Sequence, residues 1–97
     1  MTNETVYILH STSLNRYYIG YSSDLDQRMI FHNNSEARKF TAKAKDWIIF
    51  YTIICSSKPQ ALKIEAHIKK MKSKIYLENL SKYPEISIKL LNKYSDC

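Results

Sequence analysis

Tyr7, Tyr18, Arg28, His32 and Glu65 are residues of the types that could together cut a phosphodiester bond. Such a hydrolysis needs a nucleophilic water, neutralisation of charge on the phosphoryl group and help for the leaving oxygen. Arg28 offers phosphate a planar fork of donors and cannot lose its charge. A lone carboxylate, Glu65, is poor for two metals but suits one magnesium ion, which keeps several waters and shares phosphate oxygens. A tyrosine, with an ordinary pKa of about 10, can act as base only where positive charge favours the phenolate. His32, starting near 6.5, is the easier base on pKa alone. The chain's single glycine, Gly20, closes Tyr18-Ile19-Gly20, and a lone glycine inside a strand pattern marks a bulge or a close approach to the backbone.

Each of these residues also has a plain structural role open to it. Tyr7 and Tyr18 fit strand packing, Arg28 and His32 a solvated helix face, and Glu65 an i,i+4 pair with Lys69. His10 and His67 lack a partner pattern and read as surface residues, and Trp47 reads as core.

The elements that must position these groups follow from patterning. Val6 to His10 and Tyr17 to Tyr21 are β-branched and aromatic runs separated by a polar stretch, which predicts a hairpin. Setting Tyr7 opposite Tyr18 puts His10 opposite Asn15 and both phenols on one face. Ser22-Ser23-Asp24 offers a helix start with Ser23 as N-cap, and Leu25, Met29 and Ile30 form the inward stripe. Arg28 and His32 stack one turn apart beside it. A basic loop follows from Glu36 to Lys45. Trp47 to Ile54 has no helical period and reads as a buried central strand. Ser57 and Pro59 begin the longest helix, running to about Lys72 with a stripe of Ala61, Ile64, Ile68, Met71 and Ile75. Glu65 lies roughly 80° from that stripe's centre at about 100° per residue, half sheltered and still in reach of water. Pro84-Glu85 starts a last short helix, about 84–94, packing through Ile86, Leu90, Leu91 and Tyr94. The fold class is α+β: a three-stranded antiparallel sheet flanked by three or four helices, in a single domain of residues 1–97 with its core at about 4–80.

Composition narrows the partners. The chain has 97 residues, 44% hydrophobic and 25% charged, with a formal net charge of +6. That is ordinary for one globular domain and argues against disorder. The excess of lysine, uncancelled from Arg38 to Lys45 and from Lys69 to Lys74, favours polyanions, nucleic acid first and an anionic membrane surface next. Cys55 ends an apolar run and reads as a small buried side chain, and Cys97 is far from it. Neither a zinc nor a redox motif is present, and a reducing compartment fits. No signal-peptide pattern opens the chain, and its longest apolar run falls well short of the about 20 residues a bilayer needs, so no membrane role is expected and the cytoplasm is the expected address.

Thr5-Val6-Tyr7, Tyr18-Ile19-Gly20, Arg28 with His32, and Glu65 resemble the GIY-YIG endonuclease family in order, type and spacing. The similarity covers roughly Glu4 to Leu80 and includes a Phe40-Thr41 pair and the lysines after Glu65. It is closest in kind to the small stand-alone members. The resemblance implies cutting of DNA with a divalent metal, Mg2+ foremost and Mn2+ as substitute. It implies Glu65 as metal ligand, Arg28 facing the scissile phosphate, Tyr7 and Tyr18 orienting or deprotonating water, and His32 standing where the family has histidine or tyrosine. Tyr7 is the base it favours, with His32 as rival. Thr5 replaces the first motif's glycine, Tyr21 stands where some members carry lysine, Met71 stands where an aromatic is frequent, and Asn79 is the nearest candidate for a late polar position.

The leading expectation is a metal-dependent DNA endonuclease of low sequence specificity or directed to DNA structure, of repair or recombination type, with RNA as the open alternative substrate. Arg38, Lys39, Thr41, Lys43, Lys45 and Lys69 would hold backbone phosphates, and the protein would act as a monomer or weak homodimer. The alternatives are a catalytically inactive nucleic-acid-binding module of the same fold, and an interaction domain with an aromatic docking surface.

Overall fold

The computed structural model describes residues 4–32 and 46–95, with Phe31 and His32 by backbone alone. Three strands, β1 (Glu4–Ser11), β2 (Arg16–Ser22) and β3 (Trp47–Cys55), form one antiparallel sheet in the order β2-β1-β3. Four helices accompany it: α1 (Leu25–His32), α2 (Lys58–Met71), α3 (Lys74–Lys82) and α4 (Pro84–Lys93). The α+β class with a three-stranded antiparallel sheet is the one read from the sequence.

The central strand is β1, not β3. Val6 to Leu9 is buried on both faces, and a strand covered twice reads as an unbroken apolar run. The β3 run is just as apolar but lies at a sheet edge, with Ile48, Ile49 and Ile54 exposed. Between Ile8 and Leu9 the register slips, Ile8 facing Tyr51 and Leu9 facing Ile49. Phe50 is therefore the extra residue of a bulge. The bulge reverses the side-chain alternation, so Tyr51 joins the larger core while Trp47 joins the smaller one.

The hairpin pairs two residues away from the expected register. Tyr7 faces Gly20, Leu9 faces Tyr18 and His10 faces Tyr17. A shift of two preserves sidedness, so both phenols still share a face. The turn is braced from a distance by Asp46. Ser11 Oγ donates to Oδ1 at 2.6 Å, Ser13 N to Oδ2 at 2.8 Å and Ser13 Oγ to Oδ1 at 3.0 Å.

The two faces hold two cores. On one, Val6, Ile8 and Ile53 meet Ala61, Ile64 and Ile68 of α2, with Leu77, Leu80 and Leu90 closing the group. On the other, Tyr7, Leu9 and Trp47 are joined by Leu14, Tyr18, Leu25 and Met29. That smaller cluster anchors α1. Its N-cap is Asp24 and not Ser23: Gln27 N donates to Asp24 Oδ1 at 3.4 Å and Arg28 N to the Asp24 carbonyl at 3.1 Å. Ile30, expected inward, is exposed.

Ser57 caps α2, accepting from Gln60 N at 3.2 Å. The buried Gln60 amide accepts from Ser56 N at 2.7 Å and donates to the Leu91 carbonyl at 2.9 Å, which ties α4 to the start of α2. Lys72 ends α2 in the left-handed region, φ 49°. The apolar stripe breaks there, so Met71 and Ile75 are exposed rather than core. Ser73 caps a new helix, α3, accepting from Tyr76 N at 3.2 Å. In α4, Ser87 Oγ lies 2.7 Å from Tyr51 Oη. Leu90 is buried, and Ile86, Leu91 and Tyr94 pack around it as expected.

Candidate active site

The site begins with Tyr7, whose position in the central strand buries its ring to 1% exposure. The strand opposite presents Gly20, and the phenol occupies the space a side chain there would fill. Tyr18 stands one diagonal step away on the same face, its ring centroid 6.4 Å from that of Tyr7 at 31°. Trp47 meets Tyr18 edge-on at 6.4 Å and 67°. Three aromatic residues from three strands thus fix one another, and α1 packs over them through Leu25 and Met29.

From α1, Arg28 is exposed on an open cleft of about 250 Å³ shared with Ser22, Ser23, Asp24 and Gln27. From α2, Glu65 is sheltered to 18% side-chain exposure and pairs with Lys69, Oε2 to Nζ 3.1 Å. Arg28 and Glu65 meet electrostatically at the Tyr7 phenol. Burial, first, holds its pKa well above the usual tyrosine value; Tyr18 and Glu65 add to the rise, and Arg28 opposes it. The expected positive field is present in Arg28, but desolvation outweighs it. In the free protein at neutral pH, Tyr7 is an O–H donor.

Tyr7 and Tyr18 are therefore brought together by β1 and β2, while Arg28 of α1 and Glu65 of α2, with Lys69 beside it, lie within electrostatic reach of the Tyr7 phenol. The side chain of His32 and all of Arg38, Lys39, Thr41, Lys43 and Lys45 lie outside the described residues. His67, expected at the surface, is instead half-buried with Nδ1 2.9 Å from Tyr94 Oη. Cys55 is buried and its thiol is pushed up by desolvation, so it is a packing residue and no nucleophile.

No group of three or more His, Cys, Asp or Glu side chains able to hold a metal occurs among the described residues. Such a donor set does not suit zinc, which takes three or four protein ligands. A single carboxylate, partly accessible as Glu65 is, does fit a magnesium-type ion that keeps most of its waters.

Sequence reasoning missed two features here. Asp46 was not singled out, because its partners Ser11 and Ser13 are far away in the chain. Arg16 joins Lys69, Lys72 and Lys74 around a recess beside Glu65. The lysines were visible as a basic stretch, but the arginine arrives only through the hairpin.

A family model described as the GIY-YIG catalytic domain matches residues 3–80. Among curated proteins, the chain is similar to the UPF0213 protein YazA of Bacillus subtilis (strain 168), 28% identical over 80 residues that cover 79% of this chain and 81% of YazA. A UPF0213 protein of Streptococcus pneumoniae serotype 4 is 34% identical over 56 residues, 58% of this chain and 57% of that protein. A UPF0213 protein of Staphylococcus saprophyticus is 36% identical over 52 residues, 54% of this chain and 63% of that protein. No solved structure matches the chain.

Proposed function

The chain belongs to the GIY-YIG family of nucleases, and from that premise we propose that it is an endonuclease that hydrolyses phosphodiester bonds in DNA with a divalent cation held at Glu65. The observation that supports this most is the buried Tyr7 phenol, set over Gly20 with the Tyr18 ring 6.4 Å away and within electrostatic reach of Arg28 and Glu65.

Mg2+ is the expected ion, with Mn2+ as substitute; when bound, it would polarise the phosphoryl oxygens and favour ionisation of water. Arg28 projects from α1 into solvent, where its forked donors can hold two non-bridging oxygens of the scissile phosphate. Tyr7 cannot swing away, because Gly20 lies beneath it and Trp47 and Tyr18 beside it, so its hydroxyl is preorganised at no cost during the reaction. In the resting protein that hydroxyl keeps its proton; as the base, it must first lose it. Tyr18, half-exposed, orients the attacking water. His32, one turn beyond Arg28 on α1, is the rival base. Lys69 neutralises Glu65 until the ion arrives.

The chain's excess of positive charge supports a polyanionic substrate. No helix among the described residues is long and apolar enough to cross a membrane. A cytoplasmic enzyme acting on damaged or recombining DNA with little sequence preference is the setting this reading supports.

The Glu65–Lys69 ion pair favours a second reading, a binding module in which Glu65 is structural. Purified protein incubated with plasmid and branched DNA in Mg2+ or Mn2+ separates the two. Cutting that falls by about 100-fold or more in Glu65→Ala is the result expected for a metal-binding carboxylate. Equal cutting by the variant places the activity elsewhere. Salt-sensitive binding with no cutting under either ion establishes the module.

A further inference from the structure

Resting on the reading of Glu65 as a metal-binding carboxylate, we propose that the basic recess beside it is a site for a tetrahedral oxyanion, and that filling it frees Glu65 from Lys69. The recess has a volume of about 230 Å³. Arg16 enters from the start of β2, Lys69 and Lys72 from the end of α2, and Lys74 from the start of α3, over a floor that includes Ile68 and Leu77. Lys74 Nζ also reaches the Asn15 carbonyl at 3.5 Å, which joins the hairpin to α3. The volume falls below the roughly 300–1,000 Å³ of pockets for drug-sized ligands. It suits a phosphate group with its immediate substituent.

Two local choices oppose the fold's own stability. Lys72 adopts φ 49°, a conformation in which glycine is unstrained and lysine is not. Lys74 is the first residue of α3, at the positive end of the helix, and no acidic residue occupies that first turn. Together they crowd cations around one recess. Breaches of local preference without a packing gain mark functional positions. The described residues that line the recess include the cations Arg16, Lys69, Lys72 and Lys74 and no carboxylate; Glu78, the nearest acidic residue along α3, lies one turn further on.

Lys69 belongs to both places. Its ammonium is 3.1 Å from Glu65 Oε2, and the same side chain lines the recess. An i,i+4 pair with a half-exposed lysine is weak. A dianion held by Arg16, Lys72 and Lys74 draws Lys69 away and leaves the Glu65 carboxylate open. By linkage, an ion on Glu65 then favours anion binding in return.

The test needs neither metal nor cutting. Metal-free 15N,13C-labelled protein is titrated with sodium sulfate, against sodium chloride at matched ionic strength, and separately with a short DNA oligonucleotide in EDTA. Amides of Ser73 to Leu77 and the side-chain carboxyl carbon of Glu65 are followed by NMR. Saturable shifts of both, together, are expected with at least one probe, and the probe acting at lower concentration identifies a free oxyanion or a nucleic-acid phosphate as the occupant. Lys72→Asn, which tolerates the left-handed backbone, combined with Lys74→Ala should weaken binding about tenfold or more, as loss of charge-assisted hydrogen bonds requires. In Lys69→Met the amides should still respond while the Glu65 carbon does not. Absence of saturable shifts at Ser73 to Leu77 with both probes, equal affinity in the double variant, or a motionless Glu65 carbon in the wild type overturns the proposal. A failed nuclease assay would leave this result standing.

Discussion

The ring of Tyr7 occupies the space above Gly20 on the neighbouring strand. A β-carbon at Gly20 would stand 2.5 Å from Tyr7 Oη and 2.6 Å from Cζ. Gly20 has no positive φ, so the glycine is needed for space and not for backbone freedom. The phenol that the proposed chemistry uses is thus set in place by the absence of a side chain opposite it.

Gly20→Ala should therefore cost both stability and activity. The ring is buried and flanked by Tyr18, so it cannot yield without disturbing the smaller core. Overpacking of this kind destabilises by about 1–3 kcal/mol. A displacement of about 1 Å at a reacting group costs on the order of 100-fold in rate. Chemical denaturation and DNA cleavage measured on the same preparation check both. An alanine variant with wild-type stability and rate would show that the ring moves freely.

Tyr7→Phe separates the hydroxyl from the ring. Packing is kept, so stability should change by about 1 kcal/mol, the worth of one hydrogen bond. Cleavage should fall by about 10²–10⁴, the usual contribution of a general base. Because burial holds the Tyr7 pKa above its ordinary value, the phenolate fraction still grows with pH between about 7 and 9. The wild-type rate should climb throughout that range. A rate that does not respond to pH between about 7 and 9 would instead point away from Tyr7 as the base and towards its rival, His32.

The architecture was legible where one physical signal dominated. The hairpin runs, Ser57 as a cap and the apolar seam of α2 from Ala61 to Ile68 each rest on local chemistry, and each is found. Strand order was not legible, because Val6–Leu9 and Trp47–Ile54 are equally apolar and only packing decides which is central. The bulge at Phe50 hid the alternation of β3, turning Trp47 and Tyr51 to opposite faces. The end of α2 near Lys72 was legible, but α3 as a separate helix was not, because the apolar spacing runs on through Met71 and Ile75 and a lysine, not a glycine, takes the left-handed position between the two helices. At the site, Tyr7, Tyr18, Arg28 and Glu65 stood out through a resemblance in spacing; no rule of periodicity brings a helix residue from α2 to a phenol in β1. Arg16 and Asp46 act across long chain separations and carried no local signal.

His67 should make stability depend on pH near neutrality. Burial, then Lys93 and Lys70, lower its pKa in the folded protein, and Nδ1 sits 2.9 Å from Tyr94 Oη. The unfolded chain, with a pKa of about 6.5, takes up the proton first. Stability is thus highest above about pH 6.5 and declines as pH falls towards the folded-state value, below which this contribution is flat. His67→Gln should flatten the decline between about pH 7 and 5 in urea denaturation. An unchanged slope would assign the pH dependence to other groups.

Asp46 should act in the opposite part of the scale, on the hairpin turn. Hydrogen bonds from Ser11 first, then Ser13, hold its pKa down to about 2. Its unfolded value is about 3.9, so its stabilisation is present above about pH 4 and is lost as pH falls towards 2. Asp46→Asn keeps the shape but removes the charge that the Ser11 and Ser13 donors address. The variant should be less stable than wild type at pH 7, and the gap should narrow steadily below pH 4. Faster amide exchange at Ser13 and Leu14 should accompany the loss, since Leu14 N depends on Ser11 Oγ at 3.2 Å and Ser11 Oγ on Asp46. A stability gap that stays constant from pH 7 to pH 3 would show that the carboxylate's charge plays no part in bracing the turn.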